Sequence, residues 1–208
     1  MLKISIEQIV SLLDAHDGNR SQVYNLIKDR LKDYDEREIA FADEFLFFEK
    51  EYLTILKHIK QNNIPVKKII DIGCQLGFQS ELFDAVEYVG IDSQKYRFFN
   101  QGKQGVSYLV GVFPYIDINL HDAVVVSCMS LGYFNDMVCE DEEQALKIIA
   151  DKLSECTHLY IATTPELADM LKDRFKQCEL LLNRVVLNRD YPMYYFSQTE
   201  EWQYTKVS

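Results

Sequence analysis

From Pro65 onward the chain alternates short β-branched runs with stretches of helical periodicity, and this rhythm limits the fold more than any other feature. The runs are Lys68–Ile72, Glu87–Asp92, Val106–Val112, Ala123–Ser127 and His158–Ala162. Near-continuous apolar runs of this kind are strands buried on both faces, and parallel strands need a crossover of a dozen residues or more between them. Phe78–Ala85 reads as one helix, and Asp141–Leu153 as another with Ala145, Leu146, Ile149 and Leu153 on one face. A third helix, Glu166–Phe175, follows Pro165. The last two runs, Leu180–Leu187 and Met193–Ser197, are joined only by residues 188–192, too short for a parallel return. The pattern predicts an α/β fold: a mostly parallel sheet covered by helices and closed by a C-terminal antiparallel hairpin.

Before Pro65 the period is helical throughout. Ile6, Ile9, Val10, Leu12 and Leu13 share one face, and His16-Asp17-Gly18-Asn19 ends that segment. Ser21 is placed to cap a second helix carrying Val23, Tyr24, Ile27 and Leu31. A longer helix from about Glu36 carries Phe41, Phe45, Phe48, Tyr52, Ile55, Leu56 and Ile59, an aromatic stripe of the kind that packs a core. The expected organisation is an N-terminal helical segment, residues 1–64, packed on a ligand-binding domain, residues 65–208.

A chain of 208 residues buries roughly 70% of the surface its unfolded form exposes, so no disulfide or metal is needed to hold it. Its five cysteines form no C-x-x-C pair, which points to free thiols and no metal site. Thirty-three acidic against twenty-two basic residues give a net charge of −11, which disfavours nucleic acid as a partner. Lys67, Lys68, Lys95, Arg97 and Lys103 are too few to form a phosphate track. Lys3 and Glu7 interrupt the N-terminal apolar residues, unlike a signal peptide, and no apolar run approaches the ~20 residues of a membrane span. A cytoplasmic location is expected.

Chemistry concentrates in Asp71-Ile72-Gly73-Cys74-Gln75-Leu76-Gly77. At the carboxyl end of a parallel strand, a glycine turn opens the crevice where open α/β sheets bind ligands. Gly73 allows a sharp turn and close approach, and a helix starting near Gly77 would offer free amides to an anionic group. Asp92 ends the next strand about twenty residues on, where an acid can accept hydrogen bonds from both ribose hydroxyls. The G-x-G-x-x-G dinucleotide fingerprint and the Walker Gly-Lys-Ser/Thr are both absent.

This stretch resembles motif I of the class I S-adenosylmethionine-dependent methyltransferases, commonly D-x-G-x-G-x-G, with Asp71, Gly73 and Gly77 at three of its fixed positions and Asp92 at the ribose acid of motif II. His121-Asp122-Ala123-Val124-Val125-Val126-Ser127 is similar to that family's fourth strand, and the likeness runs from about Val66 to Ser197. It implies a Rossmann-like sheet, S-adenosyl-L-methionine as cofactor, and transfer of a methyl group to a small-molecule or protein acceptor by direct displacement. The cofactor-binding residues it implies are Asp71, Gly73, Cys74, Gln75, Gly77, Asp92, Ser93, Phe113 and Ser127. Ser130 and Tyr133 would line the acceptor pocket as candidate catalytic groups, and the aromatic N-terminal helix would contribute to it.

Two departures motivate an alternative. Gln75 replaces the middle glycine, where its amide can bond the cofactor's carboxylate or fill the pocket. After the third strand, where the family often has a residue for the adenine amino group, Gly111-Val112-Phe113-Pro114-Tyr115 offers only aromatics to stack on a purine. The alternative is a methyltransferase-fold protein that binds or scaffolds without catalysis. Among the four histidines, none is expected to be catalytic.

Overall fold

In the computed structural model, residues 3–83, 86–96, 99, 104–186 and 189–199 are described. Three N-terminal helices, α1 (Ile6–Ala15), α2 (Arg20–Lys28) and α3 (Glu36–Gln61), precede the sheet. Each starts at a side-chain cap. Ser5 forms a capping box with Gln8, and Asp35 accepts from the Glu38 amide at 3.0 Å. Asn19, not Ser21, caps α2, accepting from Gln22 N at 3.0 Å, so that helix begins two residues earlier than a Ser21 cap would place it.

The sheet is formed by β1 (Lys68–Ile72), β2 (Glu87–Asp92), β3 (Val106–Val110), β4 (Val124–Cys128), β5 (His158–Ala162), β6 (Gln177–Val186) and β7 (Arg189–Ser197), in the order β3-β2-β1-β4-β5-β7-β6. The first five strands are parallel, and β7 is antiparallel to both β5 and β6. The hairpin strands run closer together than the expected turn at 188–192 allowed; Leu187 and Asn188 lie outside the described residues. Two helices, α4 (Glu142–Leu153) and α5 (Pro165–Lys172), flank β5 in sequence and are capped by Asp141 and Thr164. They cover one face of the sheet, burying Ala145, Leu146, Ile149, Leu153, Leu167 and Leu171 against Ile70, Val125, Leu159 and Ile161.

The opposite face belongs to α3. Its 26 residues span roughly 39 Å at 1.5 Å per residue, long enough to serve two cores. The first half packs Phe41, Ala42 and Phe45 against Ile9, Leu13, Val23 and Ile27 of α1 and α2. The second half lays Phe48, Tyr52 and Ile55 on Ile69, Tyr88, Val124, Val126, Tyr160 and Tyr195 of the sheet. The aromatic stripe is therefore core. Among the described residues no helix is long and apolar enough to cross a membrane, and no group of metal-ligating side chains occurs.

The expected helix at Phe78–Ala85 is not formed. Only a four-residue 3-10 turn, Phe78–Glu81, follows the glycine loop, and Asp84 and Ala85 lie outside the described residues. Phe78 explains the difference: its ring is buried against Phe41 with centroids 4.7 Å apart, which draws the segment toward the helical bundle.

The hairpin is tied back to α3 by Arg184. Its Nη1 donates to Glu51 Oε1 and to the Phe47 carbonyl, each at 2.7 Å, and the guanidinium lies over the Phe47 ring. Glu51 is almost wholly buried, so removing its partner strands a carboxylate without water. Arg184→Ala is expected to lower unfolding free energy by about 3–5 kcal/mol in urea titrations. Pairing it with Glu51→Ala should restore part of that loss, whereas a cost below about 1 kcal/mol would mean the pair is effectively solvated.

Candidate functional site

Strand order reverses between β1 and β4, which places a crevice beyond their carboxyl ends. The cleft there has a volume of about 220 Å³ and is walled by the tips of four strands. Gly73 and Gln75 come from the loop after β1, and Asp92, Ser93, Gln94 and Tyr96 from the end of β2 and the segment after it. Gly111, Val112 and Phe113 follow β3, while Met129, Ser130, Leu131, Gly132, Phe134 and Asn135 follow β4.

The glycine loop is fastened to β2 by backbone bonds. The amides of Gly73 and Cys74 both donate to the Ile91 carbonyl, at 2.8 and 3.2 Å. Gln75 takes a left-handed φ of +48°, which turns its amide onto Asp92 Oδ2 at 3.0 Å. The Gln94 amide donates to Oδ1 at 3.0 Å. Asp92 is thus gripped by one backbone amide on each oxygen, 7% exposed, and each oxygen keeps a lone pair for a ligand. The side chain of Gln75 stands in the cleft wall, and the cavity persists beside it.

Several residues singled out from the sequence have other tasks here. Asp71 does not line the cleft. Its fully buried carboxylate faces α3, accepting from Tyr88 Oη at 2.7 Å and from Tyr52 Oη at 3.0 and 3.2 Å. Burial pushes its pKa up to about 7, against the pull of the two tyrosine hydroxyls and with a small push from Asp92. Cys74 is buried away from the cleft, close to Gly90, and burial raises its thiol. Gly77 (φ +66°) makes room for Tyr108, whose hydroxyl donates to its carbonyl at 3.0 Å; a Cβ there would collide with that hydroxyl oxygen. Gly73 (φ +77°) makes room for Ser130, whose Cβ would be 2.3 Å from an added Cβ.

Ser127 and Ser130 share a hydrogen bond at 2.7 Å, and Ser130 Oγ donates to the Ile72 carbonyl at 2.9 Å. Ser130 lines the cleft, but its hydroxyl proton is spent on that carbonyl; Ser127 stands behind it. Tyr133 does not line the cleft; it packs on Tyr191, its hydroxyl buried and its pKa raised by burial. Phe113 does line the cleft, whereas Tyr115 is mostly exposed and donates from its hydroxyl to the Val138 carbonyl at 2.8 Å. No residue of α3 lines the cleft, so the aromatic helix supports the site without forming its wall.

Sequence reasoning missed three features of the site. Met137, 45% exposed, is the first: it forms an apolar rim with Phe134, 56% exposed, which the family resemblance already sets among the residues after the fourth strand that face the transferring methyl. Asn135 is a buried polar wall residue. Glu44 of α3 lies buried under the glycine loop, held by Gln79 Nε2 at 3.1 Å and by a backbone hydrogen bond from Leu76. Burial pushes its pKa up to about 8, and the negative charges of Asp71 and Asp92 add to the rise.

Against solved structures, the bifunctional kinase-methyltransferase WbdD aligns over 73% of this chain at 15% identity, with a TM-score of 0.51; the chain spans only 38% of WbdD. The E. cuniculi Mtq2-Trm112 complex, responsible for methylation of the eRF1 translation termination factor, aligns over 72% of this chain and 96% of its own, at 15% identity and a TM-score of 0.51. A putative O-methyltransferase from Nostoc punctiforme covers 76% of this chain and 59% of its own, at 11% identity and a TM-score of 0.52. No protein-family model matches the sequence, and no curated protein matches it.

Gly73→Ala is expected to cost about 2–4 kcal/mol, from the left-handed backbone and the clash with Ser130. In a Ser130→Gly background, which carries the loss of the Ser130 hydrogen bonds by itself, Gly73→Ala should cost only the roughly 1–2 kcal/mol of the left-handed backbone in the same denaturation assay; an undiminished cost would mean that the contact is not the cause. Glu44 gives a pH signature. Between its ordinary 4.5 and about 8 the folded chain holds a proton that the unfolded chain releases. The stability this supplies is complete below pH 4.5 and is lost as pH rises through about 8. Glu44→Gln should therefore flatten the fall in melting temperature between about pH 5 and 9 and exceed the unmodified protein at the upper end. Parallel curves for the two proteins would show that Glu44 is already ionised when folded.

Proposed function

Because the sheet carries the class I methyltransferase fold, we propose that this chain binds S-adenosyl-L-methionine and transfers its methyl group to a small-molecule or protein acceptor. The observation that carries the reading is Asp92, a carboxylate fixed by two backbone amides at the cleft with a lone pair free on each oxygen. Such a group is built to accept hydrogen bonds from two adjacent hydroxyls, the pattern a ribose presents. Apolar walls from Ile72, Ile91, Val112, Phe113, Leu131 and Val138 suit the adenosyl group's base.

The cofactor, when bound, supplies an activated methyl group with its own leaving group. The chain's part is then to align the partners and keep water out. Asp92 and Ser93 would hold the ribose, Phe113 and Val112 the base, and the Gln75 side-chain amide and the backbone at Gly73 the amino-acid end. Asp71, Cys74, Gly77 and Ser127 act from behind by fixing the loops that these residues stand on. Ser130 and Tyr133 make poor general bases: one hydroxyl is committed to the Ile72 carbonyl and the other does not line the cleft. The reading therefore favours an acceptor that arrives already nucleophilic, entering across Phe134 and Met137. Residues 1–64 are assigned as a buttress of the binding unit formed by residues 65–208. The net charge of −11 speaks against a nucleic-acid acceptor.

One observation favours the non-catalytic alternative. Among the described residues the glycine loop leads into a single 3-10 turn, Phe78–Glu81, and not into a long helix whose amides could meet the cofactor's carboxylate. Binding of S-adenosylmethionine without turnover of any acceptor would support that scaffold.

Isothermal titration with S-adenosylmethionine and S-adenosylhomocysteine tests the shared premise. Both should bind, and Asp92→Ala should weaken each by about 10- to 100-fold through loss of two charge-assisted hydrogen bonds. Unchanged affinity in that variant would remove Asp92 from the ribose, and no heat from either ligand would end the cofactor reading.

A further inference from the structure

Ser130, Phe134 and Met137 wall the cleft after β4, the side that the cofactor reading leaves to the acceptor. The hydroxyls there are already committed. Ser130 Oγ gives its proton to the Ile72 carbonyl at 2.9 Å, which leaves Ser127 as the donor in the 2.7 Å bond between the two serines. The titratable side chains that wall the cleft are Asp92, Tyr96 and Cys128. Burial raises Tyr96 and Cys128 above their ordinary values, with Asp92 adding to the first and Asp71 to the second, so both keep their protons at neutral pH. Asp92 is gripped by two amides at the β2 tip, the end assigned to the ribose. Among the described residues, no side chain on the acceptor's side stands ready to take a proton.

The entrance has a character of its own. Phe134, Met137 and Tyr115 are all exposed, and the Tyr115 hydroxyl donates to the Val138 carbonyl at 2.8 Å, which ties its ring to the turn that carries Met137. Aromatic faces attract a cation and a flat apolar body equally well. Asp136 and Glu140 on the same segment and Glu142 at the start of α4 are exposed too, and the chain as a whole carries a net charge of −11. That field opposes an anionic acceptor such as a thiolate or phenolate and accepts a neutral or cationic one.

We propose that the acceptor is a neutral nucleophile with a lone pair and no proton to lose, a thioether sulfur or a pyridine-type ring nitrogen on an apolar body, and that its product is an onium cation. This rests on the cofactor reading above and adds the substrate class. The acceptor's lone pair forms the bond to the methyl carbon as the carbon–sulfur bond breaks, and that bond's electron pair stays on the departing sulfur. One positive charge arrives on the cofactor and leaves on the acceptor. No proton moves, so none of the committed groups has to carry one, and the rings of Phe134 and Tyr115 offer their faces to the new cation.

The test supplies the full chain and saturating S-adenosylmethionine with benzyl methyl sulfide, quinoline, benzyl mercaptan and 2-naphthol, and reads methylated product by mass spectrometry. The sulfide or quinoline should be methylated with a kcat/KM that stays flat between about pH 6.5 and 9, and the mercaptan and naphthol should react at least about 100-fold more slowly at neutral pH. In the complex with S-adenosylhomocysteine, N-methylquinolinium should bind at least about 3-fold more tightly than quinoline, and Phe134→Ala should erase that preference. Methylation of the mercaptan or naphthol as fast as the sulfide and quinoline would overturn the assignment, since a proton must then be removed. No product from either proton-free probe, in a chain that binds S-adenosylmethionine, would overturn it and leave the cofactor reading intact. A preference for the cation that survives in Phe134→Ala would remove the rim from the assignment. No binding of S-adenosylmethionine would overturn the cofactor reading and the substrate class together.

Discussion

A single buried carboxylate, Asp71, joins the three parts on which the cleft depends. It belongs to β1, accepts from Tyr88 of β2 and from Tyr52 of α3, and immediately precedes the turn that opens the site. Burying a carboxylate without water is costly unless its oxygens are bonded, so both hydroxyls must be in place before the glycine loop can adopt its position. That requirement ties α3 to the sheet alongside its apolar contacts. Glu44 and Gln79 repeat the arrangement one layer further out, beneath Leu76. The loop that walls the cleft is held from behind by polar groups that do not line it.

The same economy explains which groups stay free for chemistry. Ser127, Ser130, Cys74 and Tyr133 look reactive as letters, yet each is buried, committed to a backbone carbonyl or absent from the cleft wall. What the cleft offers is a carboxylate held by two amides and apolar walls that open at Phe134 and Met137. These are tools for binding and alignment. A site so furnished suits a reaction whose leaving group is brought by the ligand, since no step then asks the protein to shuttle a proton.

The sheet was legible because strand signals are local. A fully buried parallel strand must be apolar along its whole length, and β4 and β5 are buried at every position. The placement of Asp92 at a strand tip followed from the same signal. The helix expected after Gly77 was misread because Phe78–Ala85 has helical spacing, while the contact that overrides it, Phe78 on Phe41, joins residues 37 positions apart in the chain. Glu44, Glu49 and Glu51 read as the solvent side of an amphipathic helix. They are buried because α3 is enclosed by Arg20, by the glycine loop and by Arg184 of β6, none of which is near them in sequence.

What the sequence determined by itself was the class of sheet, its antiparallel ending and the two strand tips, after Ile72 and at Asp92, that border the cleft. Each of these depends on periodicity and on glycine's backbone freedom, which are properties of a few consecutive residues. The tertiary structure alone decided that Asp71 supports the site from beneath, that Gly73 makes room for Ser130, and that Asn135 is a buried polar residue of the cleft wall. Those roles depend on which distant groups share a hydrogen bond, a close approach or a loss of solvent, and chain order does not record any of the three.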